Sequence, residues 1–232
     1  MEVYAEKNFE LAQAGPTDKV VFSDLFHFGV SYWYIVALCV AFYSAIFPFE
    51  TFAYKFFLDA HGTALADGGK LIGSLTLWTM FGTPLLGLVV DKFGKRALFM
   101  MIGSILLIPV YLIMAYTRTQ TSLYLPMAMM GLAFSLIPAV IWPSVAYIVG
   151  QNKLGTALGL MTMIENIGLL VSNLLIGWAN DHSNASAANP TGYRLGMWLF
   201  SILSLLGLLF AILLRQRELG AHGHGLETIT AG

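Results

Sequence analysis

Between Arg194 and Arg215 the chain reads LGMWLFSILSLLGLLFAILL, Leu195–Leu214, without a charged residue. A helix rises about 1.5 Å per residue, so a run of this length crosses the roughly 30 Å hydrocarbon core of a bilayer. Five earlier stretches share its character: Ser31–Phe49, Leu71–Val90, Ala97–Thr117, Thr119–Asn152 and Leu154–Asn180, the last interrupted once, by Glu165. A helix at a protein–water boundary keeps one polar face, whereas whole turns here lack a polar residue. In lipid, backbone groups are satisfied only inside helices or closed barrels. The sequence therefore predicts an all-α membrane protein of six transmembrane helices.

Composition points the same way. Apolar residues make up 57% of the 232 and charged residues 11%, with a net charge of −1 and no basic stripe. That excludes nucleic acid as a partner and makes the lipid bilayer the first one. Cys39 is the single cysteine and lies within the first span, so no internal disulfide forms. No cofactor or metal is expected, because His222 and His224 fall in a Gly- and His-rich tail that reads as solvated. Residues 1–20 are polar and mixed in charge, unlike a secretory signal. Val20–Ser31 is amphipathic and is expected to lie along the membrane surface. The expected organisation is a cytoplasmic segment over 1–30, a six-helix bundle over 31–216 and a disordered cytoplasmic tail over 217–232.

Six spans place both termini on one side. That side carries Lys7, Lys19, Lys92, Lys95, Arg96, Lys153, Arg215 and Arg217, against Lys55, Lys70, Arg118 and Arg194 on the other. The excess of positive charge assigns both termini to the cytoplasm.

The first three spans echo the second three. Gly69-x-x-x-Gly73 opens the second span and Gly87-x-x-x-Asp91 closes it; Gly155-x-x-x-Gly159 opens the fifth and Gly177-x-x-x-Asp181 closes it. The offsets are 86 and 90 residues. Three is an odd number of crossings, so the second copy runs in the opposite sense, as a 3+3 inverted repeat of the secondary-transporter kind. The glycines also predict close helix packing. Pro138 and Pro143 predict a bend in the fourth span.

The loop after the second span reads Gly87-Leu-Val-Val-Asp91-Lys92-Phe-Gly94-Lys95-Arg96. In residue type, spacing and topological position it resembles the signature loop of the major facilitator superfamily. The resemblance implies a twelve-span carrier in two halves, of which this chain looks like the C-terminal one. It also implies a cytoplasmic gate motif of Gly87, Asp91, Lys92, Gly94, Lys95 and Arg96, with Asp91 facing the N-terminal end of the fifth span near Gly155–Thr156. Tyr32-Trp33-Tyr34-Ile35, Phe47-Pro48-Phe49, Ala139–Ala146 and Leu154–Gly168 are similar to the lysosomal dipeptide uniporter branch and its bacterial relatives. On this reading the chain is a fragment, a split gene product or a half-length one. Its partner is an N-terminal six-helix half missing from it. The expected location is a bacterial inner membrane, or the lysosomal membrane in a eukaryote.

Glu165 is the sharpest candidate for chemistry, because it lies eleven residues into the fifth span with Asn166 beside it. A charge near the bilayer centre costs about 2.5–3.5 kcal/mol on insertion scales. Glu165 therefore faces a cavity, meets a partner in the missing half, or stays protonated. Each option suits binding of a substrate amine or of H+. The dipeptide branch usually has an amide at this place, so Glu165 departs from it. Glu50 follows Phe47-Pro48-Phe49 and is a candidate for the outer vestibule, with plain solvation as the other reading. The resemblance implies a substrate contact for Trp142; an indole suits a peptide pocket through its apolar face and single donor, and equally suits packing. Tyr43 and Tyr54 are lesser pocket candidates, and Tyr32, Trp33 and Tyr34 read as interfacial belt residues. Asn184-Ala-Ser186 fits a glycosylation acceptor.

An intramembrane enzyme is disfavoured, since no histidine lies inside a predicted span and Asp91 and Asp181 fall on opposite sides of the membrane. The expected function is transport of a small solute by alternating access, a dipeptide by resemblance, with H+ as a candidate co-substrate. The alternative is a non-transporting membrane subunit or pseudo-transporter scaffold.

Overall fold

The structure is a computed structural model and describes residues 28–117, 120–221 and 223–228. Most of the amphipathic segment, together with Arg118 and His222, lies outside the described residues. Among the described residues, six helices are long and apolar enough to span a bilayer: α1 (Val30–His61), α2 (Leu65–Phe93), α3 (Arg96–Tyr116), α4 (Tyr124–Ile148), α5 (Leu154–His182) and α6 (Arg194–Glu218). No strand occurs among the described residues beyond one isolated bridge, Ser186 to Asn189.

α1 continues twelve residues past the charge-free run that ends at Phe49. Ala53, Phe56 and Phe57 prolong its buried stripe at helical spacing, while Lys55 and Asp59 pair outside it at 2.6 Å. Gly62 then stops the helix with φ +61, a left-handed conformation that glycine adopts without strain. At the other end, Tyr32 is fully buried and donates its hydroxyl to the Ala157 carbonyl at 2.8 Å. It is thus a core residue rather than a belt residue.

The packing displays the repeat. α2 lies along α4, α1 along α5 and α6, and α3 along α4 and α6. Exchanging α1–α3 for α4–α6 returns the same set: α1 with α5 becomes α4 with α2, α1 with α6 becomes α4 with α3, and α3 with α6 becomes itself. α1 and α4 therefore occupy the middle, α2 and α5 the flanks, and α3 and α6 the back. Ser31 at the start of α1 bonds Glu218 at the end of α6, and Asp59 near the end of α1 bonds Tyr193 just before α6. These two contacts fix α1 and α6 as antiparallel.

The same crossing is built twice. A Cβ on Gly82 of α2 would meet Ser135 Oγ of α4 at 2.5 Å; a Cβ on Gly168 of α5 would meet Val40 of α1 at 2.5 Å and Ser44 Oγ at 3.2 Å. Gly82 and Gly168 stand 86 residues apart, the offset that also relates Gly69 to Gly155 and Gly73 to Gly159. Removing the side chain lets two backbones approach where dispersion alone holds membrane helices together. The glycines named by the sequence pattern behave otherwise. Nothing lies within 4 Å of a Cβ on Gly73, Gly87, Gly155, Gly159 or Gly177, so close packing inside this unit falls to other glycines. α2 and α5 turn those positions away from the bundle and expose long apolar faces, with Phe81, Leu85 and Leu88 on one and Leu170, Leu174 and Trp178 on the other.

Part of the expected tail is packed among the described residues. Gly223–Thr228 folds back over the ends of three helices, where Leu226 is fully buried. The Arg96 amide donates to the Leu226 carbonyl at 3.0 Å. Glu227 accepts from the Leu98 amide at 3.1 Å and from Arg215 Nε at 3.4 Å. The buried Glu218 carboxylate accepts from Ser31 Oγ (2.7 Å) and the His224 amide (2.7 Å), and lies 3.0 Å from His224 Nδ1. The first-turn amides of α3 and the Arg215 guanidinium give this acid-bearing segment a place to dock, which composition alone conceals. Glu227→Gln should lower the stability of the bundle by about 1 kcal/mol, the scale of a lost helix cap, read as a lower thermal unfolding midpoint in detergent. An unchanged midpoint would remove the capping role.

Candidate functional site

Two polar constellations lie on successive turns of α1. Cys39 and Tyr43 are one helical turn apart, on the face that meets α4 and α5. From α5, Glu165 reaches Cys39, whose thiol donates to Oε2 at 3.7 Å; the acid is 8% exposed. From α4, Trp142 Nε1 donates to the Tyr43 hydroxyl at 3.0 Å. Phe47 stacks on Tyr43 at 5.4 Å, and Phe134 meets Phe47 edge-on at 5.7 Å. The result is a carboxyl, a thiol, a phenol and an indole on an aromatic floor. Such a surface can bind an amine through the acid and an apolar side chain through the rings.

Other expected members stand apart. Asn166 points away from Glu165, since adjacent helix residues diverge by about 100°; it is exposed and donates to the Thr162 carbonyl of its own helix at 2.8 Å. Glu50 is half-buried, eleven residues beyond Cys39 and so about 16 Å further along α1. Tyr54 is exposed and covers Gly68 and Gly69 of α2.

At the opposite end from Glu50, the α2–α3 turn gathers Asp91, Lys92, Gly94, Lys95 and Arg96, the residues expected to form a gate. Gly94 caps α2 with φ +68 and donates its amide to the Val90 carbonyl at 2.8 Å. That turn folds Arg96 back beneath the helix end, where Nη2 donates to Asp91 Oδ1 at 3.1 Å. The guanidinium, 4% exposed as a residue, also covers the Tyr147 ring at 5.0 Å. Asp91 thus pairs with Arg96 rather than with the start of α5, to which α2 makes no extensive contact. Lys92 and Lys95 are exposed, and Gly87 faces open space. The residues that the sequence pattern missed are Cys39, as the partner of Glu165, and Tyr147, as the seat of Arg96. Nothing in linear spacing marks either.

A six-helix unit of two symmetry-related triplets, with an acid in mid-span and a basic turn after α2, defines an α-helical membrane fold with an internal three-helix repeat. The chain matches the Major Facilitator Superfamily over residues 33–228 and belongs to that family. It is 32% identical over 166 residues to the lysosomal dipeptide transporter MFSD1 of Danio rerio, covering 71% of this chain and 36% of that protein. The Homo sapiens protein of the same name is 29% identical over 170 residues, covering 73% of this chain and 36% of that one. A crystal structure of the peptide transporter POT, an E310Q mutant in complex with alafosfalin, superposes with a TM-score of 0.60 at 16% identity. It covers 84% of this chain and 39% of that one, and shows the shared fold. The chain therefore spans little more than a third of the length of these curated relatives. It is an integral membrane protein.

Proposed function

We propose that this unit works with a second six-helix half to move a small solute across the membrane by alternating access. The observation that carries the reading is the convergence of Glu165, Cys39, Tyr43 and Trp142 on the middle of α1, flanked by α2 and α5 with their unfilled glycine faces. A binding surface in the centre and two bare, close-approach helices beside it are what one half of a two-part carrier needs. The matched relatives are dipeptide transporters by name, and the site suits a dipeptide: the aromatic group takes a side chain, and Glu165, where that branch usually has an amide, adds a charged contact to the amine. H+ is the second ligand of Glu165, since no lysine or arginine lies in mid-span to offset its charge. We place both termini in the cytoplasm on the charge asymmetry, in a bacterial inner membrane or, in a eukaryote, a lysosomal one.

The test is uptake by the full-length protein in proteoliposomes, with a dipeptide and solute panel and an imposed pH gradient. Saturable uptake of dipeptides supports the reading, and uptake of none of the panel sinks it. Within that assay, Trp142→Phe keeps the ring and loses the donor to Tyr43. It should raise KM about threefold to tenfold with kcat little changed, the pattern of lost ground-state binding. Gly159→Leu and Gly87→Leu meet open space in this unit, so each should leave its unfolding midpoint unchanged while cutting uptake by at least fivefold. Full uptake by both variants would place the partner half elsewhere.

A further inference from the structure

At the end of the bundle away from the gate motif, a cavity of about 270 Å³ opens between the last turns of α1 and α3 and the turn leading into α6. Its walls include Phe56 and His61 of α1, Tyr116 of α3, Thr191 and Tyr193 of the connecting turn and Arg194 of α6. Two of these side chains are basic and none of the lining residues is acidic.

His61 is the unexplained group. Both of its ring nitrogens are buried without a hydrogen bond inside normal distance and angle limits, with the Met114 backbone the polar group beside the ring. Buried polar atoms in folded proteins almost always have partners, so this orphaned ring, whose nitrogens carry no surface on the cavity until the ring turns, marks a group that a ligand can satisfy by drawing a nitrogen toward it. The ring is held edge-on to Phe56 at 5.1 Å. Arg194 is held too: its guanidinium covers the Tyr116 ring at 4.8 Å, and Trp198 Nε1 donates to the Tyr116 hydroxyl at 3.1 Å. The nearby acid is already occupied, since Asp59 accepts from Tyr193 and Lys55, each at 2.6 Å. Its charge is therefore answered by Lys55.

We propose that this cavity binds the oxyanion of a small amphiphilic molecule, with the negative group between His61 and Arg194 and the apolar remainder against Phe56 and Tyr116. A guanidinium and an imidazole N–H are charge-assisted or direct donors to carboxylate or phosphate oxygens alike. The same chemistry is offered by a soluble carboxylate from the outer side and by the phosphate of an anionic lipid. This site lies away from the Glu165 surface and does not rest on the transport reading.

The experiment uses the purified full-length protein in an uncharged detergent, titrated with sodium benzoate against sodium chloride of equal ionic strength. A parallel arm compares nanodiscs of phosphatidylcholine with nanodiscs containing phosphatidylglycerol. Both follow the thermal unfolding midpoint, and calorimetry gives the benzoate Kd. A saturable benzoate effect identifies a soluble organic anion. A phosphatidylglycerol effect without a benzoate effect identifies a lipid headgroup. In either case Arg194→Ala, at an exposed position whose loss spares the core, should weaken the effect at least tenfold, and His61→Gln should retain more of it than His61→Ala. The proposal is overturned if neither ligand acts, if chloride reproduces the effect, or if Arg194→Ala leaves it intact.

Discussion

Leucine in place of Gly131 should abolish the folded six-helix unit or cost it several kcal/mol. A Cβ at this position would lie 2.6 Å from Trp78 Cβ and 3.0 Å from the Leu75 carbonyl on α2. The first contact is with an atom held by its own backbone and the second is backbone itself, so no flexible side-chain tip can swing aside. α2 and α4 must separate, and that breaks the reciprocal contact in which Ser135 Oγ reaches the Trp78 and Thr79 carbonyls at 3.4 and 3.3 Å. Overpacking a tight core costs about 1–3 kcal/mol for added methylenes, and a leucine adds several at a backbone contact. The check is the yield of monodisperse protein in detergent and its unfolding midpoint, with Gly73→Leu as the control. Gly73 is on the same helix pair's outer side with open space around it. Equal loss in the two variants would show that glycine is needed for reasons other than the crossing.

The second large effect concerns Glu165. Glu165→Gln should lower dipeptide uptake by at least tenfold and remove its response to an imposed pH gradient. The amide keeps size and hydrogen bonding toward Cys39 but has no charge for an amine and takes up no proton. A tenfold loss corresponds to about 1.4 kcal/mol of transition-state binding. Because the substitution removes a buried acid rather than adding one, the folded unit should be at least as stable as before. Uptake at the normal rate with the normal pH response would return Glu165 to a packing role between α5 and α1.

The six spans were legible because lipid forbids charge over a fixed thickness, and that constraint is written directly in the sequence. The repeat was legible in Gly69, Gly73, Gly155 and Gly159, which recur at an offset of 86 residues; the pair that serves the crossing, Gly82 and Gly168, shares that offset but sits in no motif that marks it. What stayed hidden depends on direction around a helix. Asn166 follows Glu165 in sequence yet faces the other way, and an apolar-all-round span offers no polar face to orient it. The glycine pairs were visible, but whether they close on this chain or on something else was not. The extension of α1 was obscured by Glu50, Lys55 and Asp59, which a search for charge-free runs treats as a stop although the helix continues through them. The tail was read as solvent-borne because its composition is that of a linker; its docking depends on Leu226 and Glu227 meeting the start of α3, a contact between distant parts of the chain.

The 32 residues of α1 make a rod of about 48 Å, well over the roughly 30 Å slab that must hold it. Pivoted at mid-depth, such a rod acts as a lever: a tilt of about 10° swings either tip by about 4 Å while the Cys39–Tyr43 region barely shifts. A spectroscopic label near Leu58 would therefore magnify small rotations of the unit into displacements large enough to follow in real time.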